Sequence, residues 1–162
     1  MHTTKKYILT LIFMLSALLA FATEQYPDLV IYQGRIFYIS GTFDEDFPIF
    51  ALTQDETFTK KLEEISVCYS SGCYRGYQAI WEIIKGKLYL KELKKCCTGE
   101  SADLEALFGE RFIKGKGVWA FWVDKPITIG TKTVSVFNLE EPVDFIVLNM
   151  ENGNIRGVRK ME

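Results

Sequence analysis

Tyr74-Arg75-Gly76-Tyr77-Gln78-Ala79-Ile80-Trp81-Glu82-Ile83-Ile84, then Lys85-Gly86, then Lys87-Leu88-Tyr89-Leu90-Lys91-Glu92-Leu93 is the stretch on which the fold turns. Aromatic and β-branched residues fill the first run, a glycine-containing pair breaks it, and the second run returns, so the two read as a hairpin. Upstream, residues 65–69 read as a further strand, joined to it through the turn Ser70-Ser71-Gly72. The three form an antiparallel meander. Alternation along the long strand sends Arg75, Tyr77, Ala79, Trp81 and Ile83 to one face and Gln78, Ile80 and Glu82 to the other.

The same signals recur on either side. Residues 29–32 and 35–39 flank Gln33-Gly34 as a hairpin, and residues 145–150 and 155–158 flank Asn152-Gly153, the dipeptide that favours a type I′ turn. Residues 127–129 and 133–137 flank Gly130 as another, and the unbroken apolar run 118–123 reads as a strand buried on both faces. Between them, the acidic stretch 40–48 reads as a surface loop, 49–52 as a short strand and 53–61 as loop or a single helical turn. Leu104, Leu107 and Phe108 switch to helical spacing, with Ser101 as N-cap and Gly109 as the stop of one short helix. The expected fold is therefore mainly β: an antiparallel, meander-based barrel or sandwich of about nine strands with one short helix.

The N-terminus reads differently. Lys5 and Lys6 precede an apolar run over residues 7–21 that closes on Ala20-Phe21-Ala22, the pattern of a secretory signal peptide cleaved after residue 22. The run is shorter than the roughly 20 residues of a spanning helix, so residues 23–162 are expected to form one exported domain, periplasmic or secreted, with no membrane span once the leader is removed. Cleavage removes two of 19 basic side chains and none of 21 acidic ones, which leaves a mildly acidic domain without a basic run. Nucleic acid is a poor partner for such a surface.

His2 is the single histidine and falls in the leader, so the mature domain has none. Ser-His-Asp and Cys-His catalysis and imidazole-rich metal sites are thereby excluded, and no cofactor or metal is expected. Four cysteines, Cys68, Cys73, Cys96 and Cys97, all lie in the exported part and read as disulfides in an oxidising compartment. A two-residue turn at Lys85-Gly86 brings Tyr74 opposite Cys97, and a bulge at a strand end then favours Cys73–Cys97 with Cys68–Cys96; the other arrangement is Cys73–Cys96 with Cys68–Cys97. Vicinal Cys96-Cys97 bonding is disfavoured by backbone strain.

The core Arg75-Gly76-Tyr77, Ala79, Trp81-Glu82-Ile83, then Leu88-Tyr89-Leu90 resembles a group of small exported bacterial proteins of unassigned function, more loosely through Leu104–Phe108 and Ala120-x-Trp122. The resemblance covers about half the mature chain, does not include Cys96-Cys97 and implies no particular activity. From the residues themselves, the candidate binding set is Arg75, Tyr77, Trp81 and Trp122: an aromatic groove with Arg75 as its polar anchor. The alternative places the aromatics in the core and pairs Arg75 with a carboxylate at the rim. Glu82 and Asp124 are the carboxylates whose neighbours suggest burial, and a pair at glycosidase spacing would hydrolyse sugars. The function expected is a non-enzymatic binding or protein-interaction module, with an unknown protein or a small apolar ligand as partner. The alternatives are a hydrolase using carboxylates or a reactive cysteine, and a structural envelope component.

Overall fold

The computed structural model describes residues 26–41, 44–65, 72–131 and 144–161. The leader expected at 1–22, Cys68 and most of the strand expected at 65–69, and the strand expected at 133–137 lie outside them. Three hairpins form where turn residues allow: β1 (Leu29–Tyr32) with β2 (Arg35–Ile39), β3 (Tyr77–Ile84) with β4 (Lys87–Lys95), and β8 (Phe145–Glu151) with β9 (Asn154–Met161). Each turn holds both central residues at positive φ: Gln33 and Gly34 at 51° and 73°, Lys85 and Gly86 at 49° and 76°, Asn152 and Gly153 at 46° and 68°. That is type I′ geometry, whose twist matches the strands it joins.

The hairpins close into a barrel. The sheet order β3-β1-β2-β7-β8-β9-β4, with β7 spanning Ile127–Gly130, returns on itself through β3–β4 pairing, so seven strands form a ring. The barrel alternative holds, but the sheet is mixed: β1 runs parallel to β3, with Val30 beside Trp81. Parallel pairing needs a long crossover. Here the chain between β2 and β3 supplies it, and includes α1 (Glu56–Ile65). Two short strands, β5 (Phe112–Ile113) and β6 (Gly117–Trp119), extend the sheet beyond β4.

Four local expectations are corrected. Residues 49–52 belong to a 3-10 segment, Pro48–Leu52, because a proline at its first turn presets a helical φ. The stretch 53–61 enters a ten-residue helix, α1, whose start is capped by Asp55 Oδ1 accepting from Thr57 N at 2.8 Å, so the described residues hold two α-helices rather than one; Ile65 ends this helix rather than opening a strand. The second, α2 (Leu104–Phe108), is capped by Asp103, not Ser101, and stops at Gly109 as expected. The apolar run 118–123 leaves the sheet after Trp119, where Val123 N donates to Ala120 O at 3.0 Å.

Inside the ring, Val30, Phe37, Trp81, Leu88, Leu90, Leu93, Val118, Ile127, Ile129 and Leu148 form the core. The step from Leu90 to Leu93 breaks strict alternation because the register shifts by one between the Ile80↔Glu92 and Trp81↔Leu90 pairs, a bulge on β4 that turns Leu93 rather than Glu92 inward.

Candidate functional site

The bulge on β4 also decides the cysteines. Above it Tyr77 pairs with Lys95, so the strand end carries Cys96 opposite Gly76, whose carbonyl accepts from Cys96 N at 3.1 Å. At Gly76, with φ at 76°, the chain turns back, and its N–H reaches Cys73 O. Cys73 therefore meets Cys96, and the two are joined. The favoured Cys73–Cys97 pairing is overturned because the extra residue sits in mid-strand, not at the strand end. Cys97 is itself disulfide-bonded.

This turn lifts Arg75 over the edge of the barrel, where it meets a residue that no motif marks. Asp28, immediately before β1 and wholly buried, accepts at Oδ1 from Arg75 Nη2 at 3.0 Å and from Ala79 N at 3.1 Å, and at Oδ2 from Trp81 Nε1 at 3.3 Å. Arg75 Nη2 also donates to Tyr26 O at 3.1 Å, and Gln78 Nε2 to Pro27 O at 2.8 Å. The parallel pairing of β1 with β3 is what places Asp28 beside Ala79 and Trp81. The guanidinium is sandwiched as well, 3.8 Å from the ring centre of Phe47 and 5.3 Å from that of Tyr77.

Burial acts to lower the Arg75 pKa, but the charge of Asp28, then Tyr77, the hydrogen bond to Asp28 and the charge of Asp44 outweigh it and leave it raised. Tyr77 is pushed above its ordinary range by burial first and by Asp28 second, with Arg75 opposing. The cluster is thus an ion pair with a neutral phenol beside it.

Three of the four candidate residues converge here, and one does not. Arg75, Tyr77 and Trp81 share the surroundings of Asp28, although Trp81 is fully enclosed and has no face open to a ligand. Trp122 is not among the partners of Asp28: it packs against the core elsewhere, stacked on Phe108 at 5.9 Å with its Nε1 donating to Pro48 O at 2.9 Å. Glu82 pairs with Lys91 at 3.1 Å, and exposed Asp124 accepts from Asn152 N, so the two carboxylates serve different partners. Among the described residues no group of three His, Cys, Asp or Glu is placed to hold a metal ion.

A cleft of about 260 Å³ opens beside Arg75 and Tyr77, walled by Phe50 of the 3-10 segment, Thr53 that caps its end and Thr59 of α1. Asp44 and Glu63 supply its carboxylates. Asp44 Oδ1 and Arg75 Nη1, sealed from solvent behind these residues, have no hydrogen-bond partner among the described residues, nor does Trp119 Nε1 elsewhere. Asp28, Asp44 and Glu63 had escaped the sequence reading. For Asp28 the available signal was a carboxylate abutting an apolar strand, and for the other two there was none. Comparison with protein-family models, with curated proteins and with solved structures finds no match to this chain.

Proposed function

We propose that this protein is an exported, non-enzymatic binding module that holds a small ligand in the cleft beside Arg75 and Tyr77. The observation that carries the reading is the cleft itself, about 260 Å³, where the carboxyl residues Asp44 and Glu63 line the same space as the aromatic residues Phe50 and Tyr77, a few polar groups converging on apolar walls. The wall is stiff on its barrel side, where Asp28 ties Arg75 to β3, so the site is preorganised rather than formed on demand. Export is supported by the leader pattern of residues 1–22 and by the Cys73–Cys96 disulfide, since such bonds persist in oxidising compartments. Among the described residues no helix is long and apolar enough to cross a membrane.

Native mass spectrometry of the protein recovered from its own host tests the binding. A small co-purifying mass that disappears in Thr59→Trp, which places an indole in the cleft from α1, is the expected result. Identical spectra for the two proteins would count against the cleft. N-terminal sequencing of the exported form is expected to begin at Thr23, and a chain beginning at Met1 would remove the export half of the proposal.

A further inference from the structure

We infer that the outer face of strands β4, β6 and β5 is a docking surface for an anionic membrane, an inference independent of the cleft. Cross-strand partners share one face of a sheet. Leu90 pairs with Val118 and both are wholly buried, so the neighbouring pair Tyr89 and Trp119 points out of the barrel. Phe112 also pairs with Val118 and packs against the core, which turns Ile113, opposite Gly117, outward as well. The chain then leaves the sheet, and the ring of Phe121 lies 6.1 Å from that of Trp119, centre to centre. Tyr89 and Trp119 are half-buried, whereas Ile113 and Phe121 are 45% and 38% exposed. The outside of the sheet thus carries apolar side chains, two of which stand well into solvent.

Cations frame them. Lys87 Nζ lies 4.6 Å from the ring centre of Trp119, and the Arg111 guanidinium 5.2 Å from that of Phe121. Lys91, paired with Glu82 at 3.1 Å, also donates to Gly115 O at 2.9 Å and so ties down the turn that carries Lys114 and Lys116. Lys87, Arg111, Lys114 and Lys116 are exposed, and among the described residues none of them is in an ion pair. Glu110 and Asp124, their acidic neighbours in the chain, are outnumbered, although the chain as a whole has a net charge of −2. A positive face on a negative molecule is turned toward a negative surface by the molecule's own field. Three of the four unpaired cations are lysines, point charges on flexible stems that follow a fluid array of headgroups, whereas a fixed carboxylate pattern favours the arginine fork. Half-buried tryptophan and tyrosine are the side chains that settle at a membrane–water boundary. The protein on this reading lies on the bilayer and does not span it. Each unpaired cation contributes roughly fivefold in affinity for anionic lipid.

Co-sedimentation of the mature chain with two kinds of vesicle tests this: phosphatidylcholine alone, and phosphatidylcholine mixed equally with phosphatidylglycerol. Binding to the anionic vesicles, weakened by added salt, and little binding to the neutral ones is the expected result. Lys114→Gln and Lys116→Gln, both in an exposed turn, are each expected to weaken it about fivefold, and Ile113→Ser to weaken it through the loss of an inserted apolar side chain. Tryptophan emission is expected to be quenched by brominated lipid, and most of that quenching to be absent in Trp119→Phe. No binding to anionic vesicles, or equal binding to both kinds, would overturn the inference. So would binding that Lys114→Gln, Lys116→Gln and Trp119→Phe all leave unchanged, since another face would then be the one in contact. Saturable binding of soluble glycerol phosphate would assign the face to a free headgroup, and binding of polyglutamate as tight as that of the vesicles would assign it to an acidic polypeptide; either outcome overturns the membrane reading. The comparison of the two vesicles needs no variant, so a misfolded Trp119→Phe does not blunt the test, and none of these outcomes bears on the cleft, which the mass-spectrometric comparison with Thr59→Trp decides.

Discussion

Arg75 Nη2 and Asp28 Oδ1 lie 3.0 Å apart with side-chain exposures of 7% and 0%, and 47 residues of chain separate them. The pair joins the segment before β1 to the turn before β3. Removing one member strands the other in a place water does not reach. Asp28→Leu is expected to cost about 3–5 kcal/mol, as for other broken buried pairs, with Ala79 N and Trp81 Nε1 losing their acceptor at the same time. Asp28→Leu combined with Arg75→Met is expected to cost less than Asp28→Leu alone, since no charge is then left unpaired. Urea denaturation measures both, and a single-variant loss under about 1 kcal/mol would show that the pair contributes little.

Tyr77 titrates in the alkaline range with a definite sign. In the unfolded chain its hydroxyl ionises near the ordinary value of 10.0, whereas burial first and the Asp28 charge second raise it in the folded state. Above that pH the unfolded chain releases a proton that the folded one keeps, so stability falls as pH rises. Tyr77→Phe is expected to flatten the decline of the denaturation midpoint between about pH 10 and pH 11.5, the range opened by the ordinary tyrosine value. Parallel curves for the two proteins would place the alkaline sensitivity elsewhere.

Peptide mapping of non-reduced protein is expected to recover Cys73–Cys96 and, because the chain has four cysteines, to recover Cys68 with Cys97. Replacing Cys73 and Cys96 together by serine is expected to cost about 2–4 kcal/mol, mainly through the freedom regained by the unfolded chain. A Cys73–Cys97 peptide would restore the uninterrupted register and contradict the bulge on β4.

Two turn glycines separate backbone strain from steric room. Gly86 at φ 76° and Gly153 at φ 68° both sit where a side chain is disfavoured, but a Cβ on Gly86 meets nothing within 4 Å, while on Gly153 it falls 2.4 Å from Ala120 O. Gly86→Ala is expected to cost about 1–2 kcal/mol from conformation alone. Gly153→Ala is expected to cost about 1–3 kcal/mol beyond that, from the clash. Equal losses in thermal unfolding would mean that the Ala120 segment gives way.

The hairpins were legible because their information is local. Gln33-Gly34, Lys85-Gly86 and Asn152-Gly153 each specify a turn and hence a register, and the inward set Tyr77, Ala79 and Trp81 follows from period two. What local pattern misses is pairing between distant segments. Nothing in residues 29–32 announces that they lie parallel to Ile80, Trp81 and Glu82. The run 118–123 misleads for a related reason: Val118 and Ala120 are buried in the core, whereas Trp122, beyond the point where the chain leaves the sheet, packs half-buried against the same core by stacking on Phe108. Helix α1 turns a thin apolar side inward, through Phe58 and Leu62, too little to stand out against a polar stretch. At the site, Arg75 and Tyr77 were readable as an anchor and its aromatic neighbour, whereas Asp28 needed the parallel strand to bring it there.

That parallel strand also sets a timetable. A chain made from its N-terminus produces Asp28 and the hairpin β1–β2 first, yet Trp81, a hydrogen-bond partner of Asp28, comes 53 residues later. Until then one edge of β1 is open, and an open edge is a template for pairing with another chain. Closure by contacts so far apart in sequence is slow for entropic reasons. The first half of this protein therefore has no reason to fold by itself, and a nascent chain that stops short of Tyr77 is the form most in need of a chaperone.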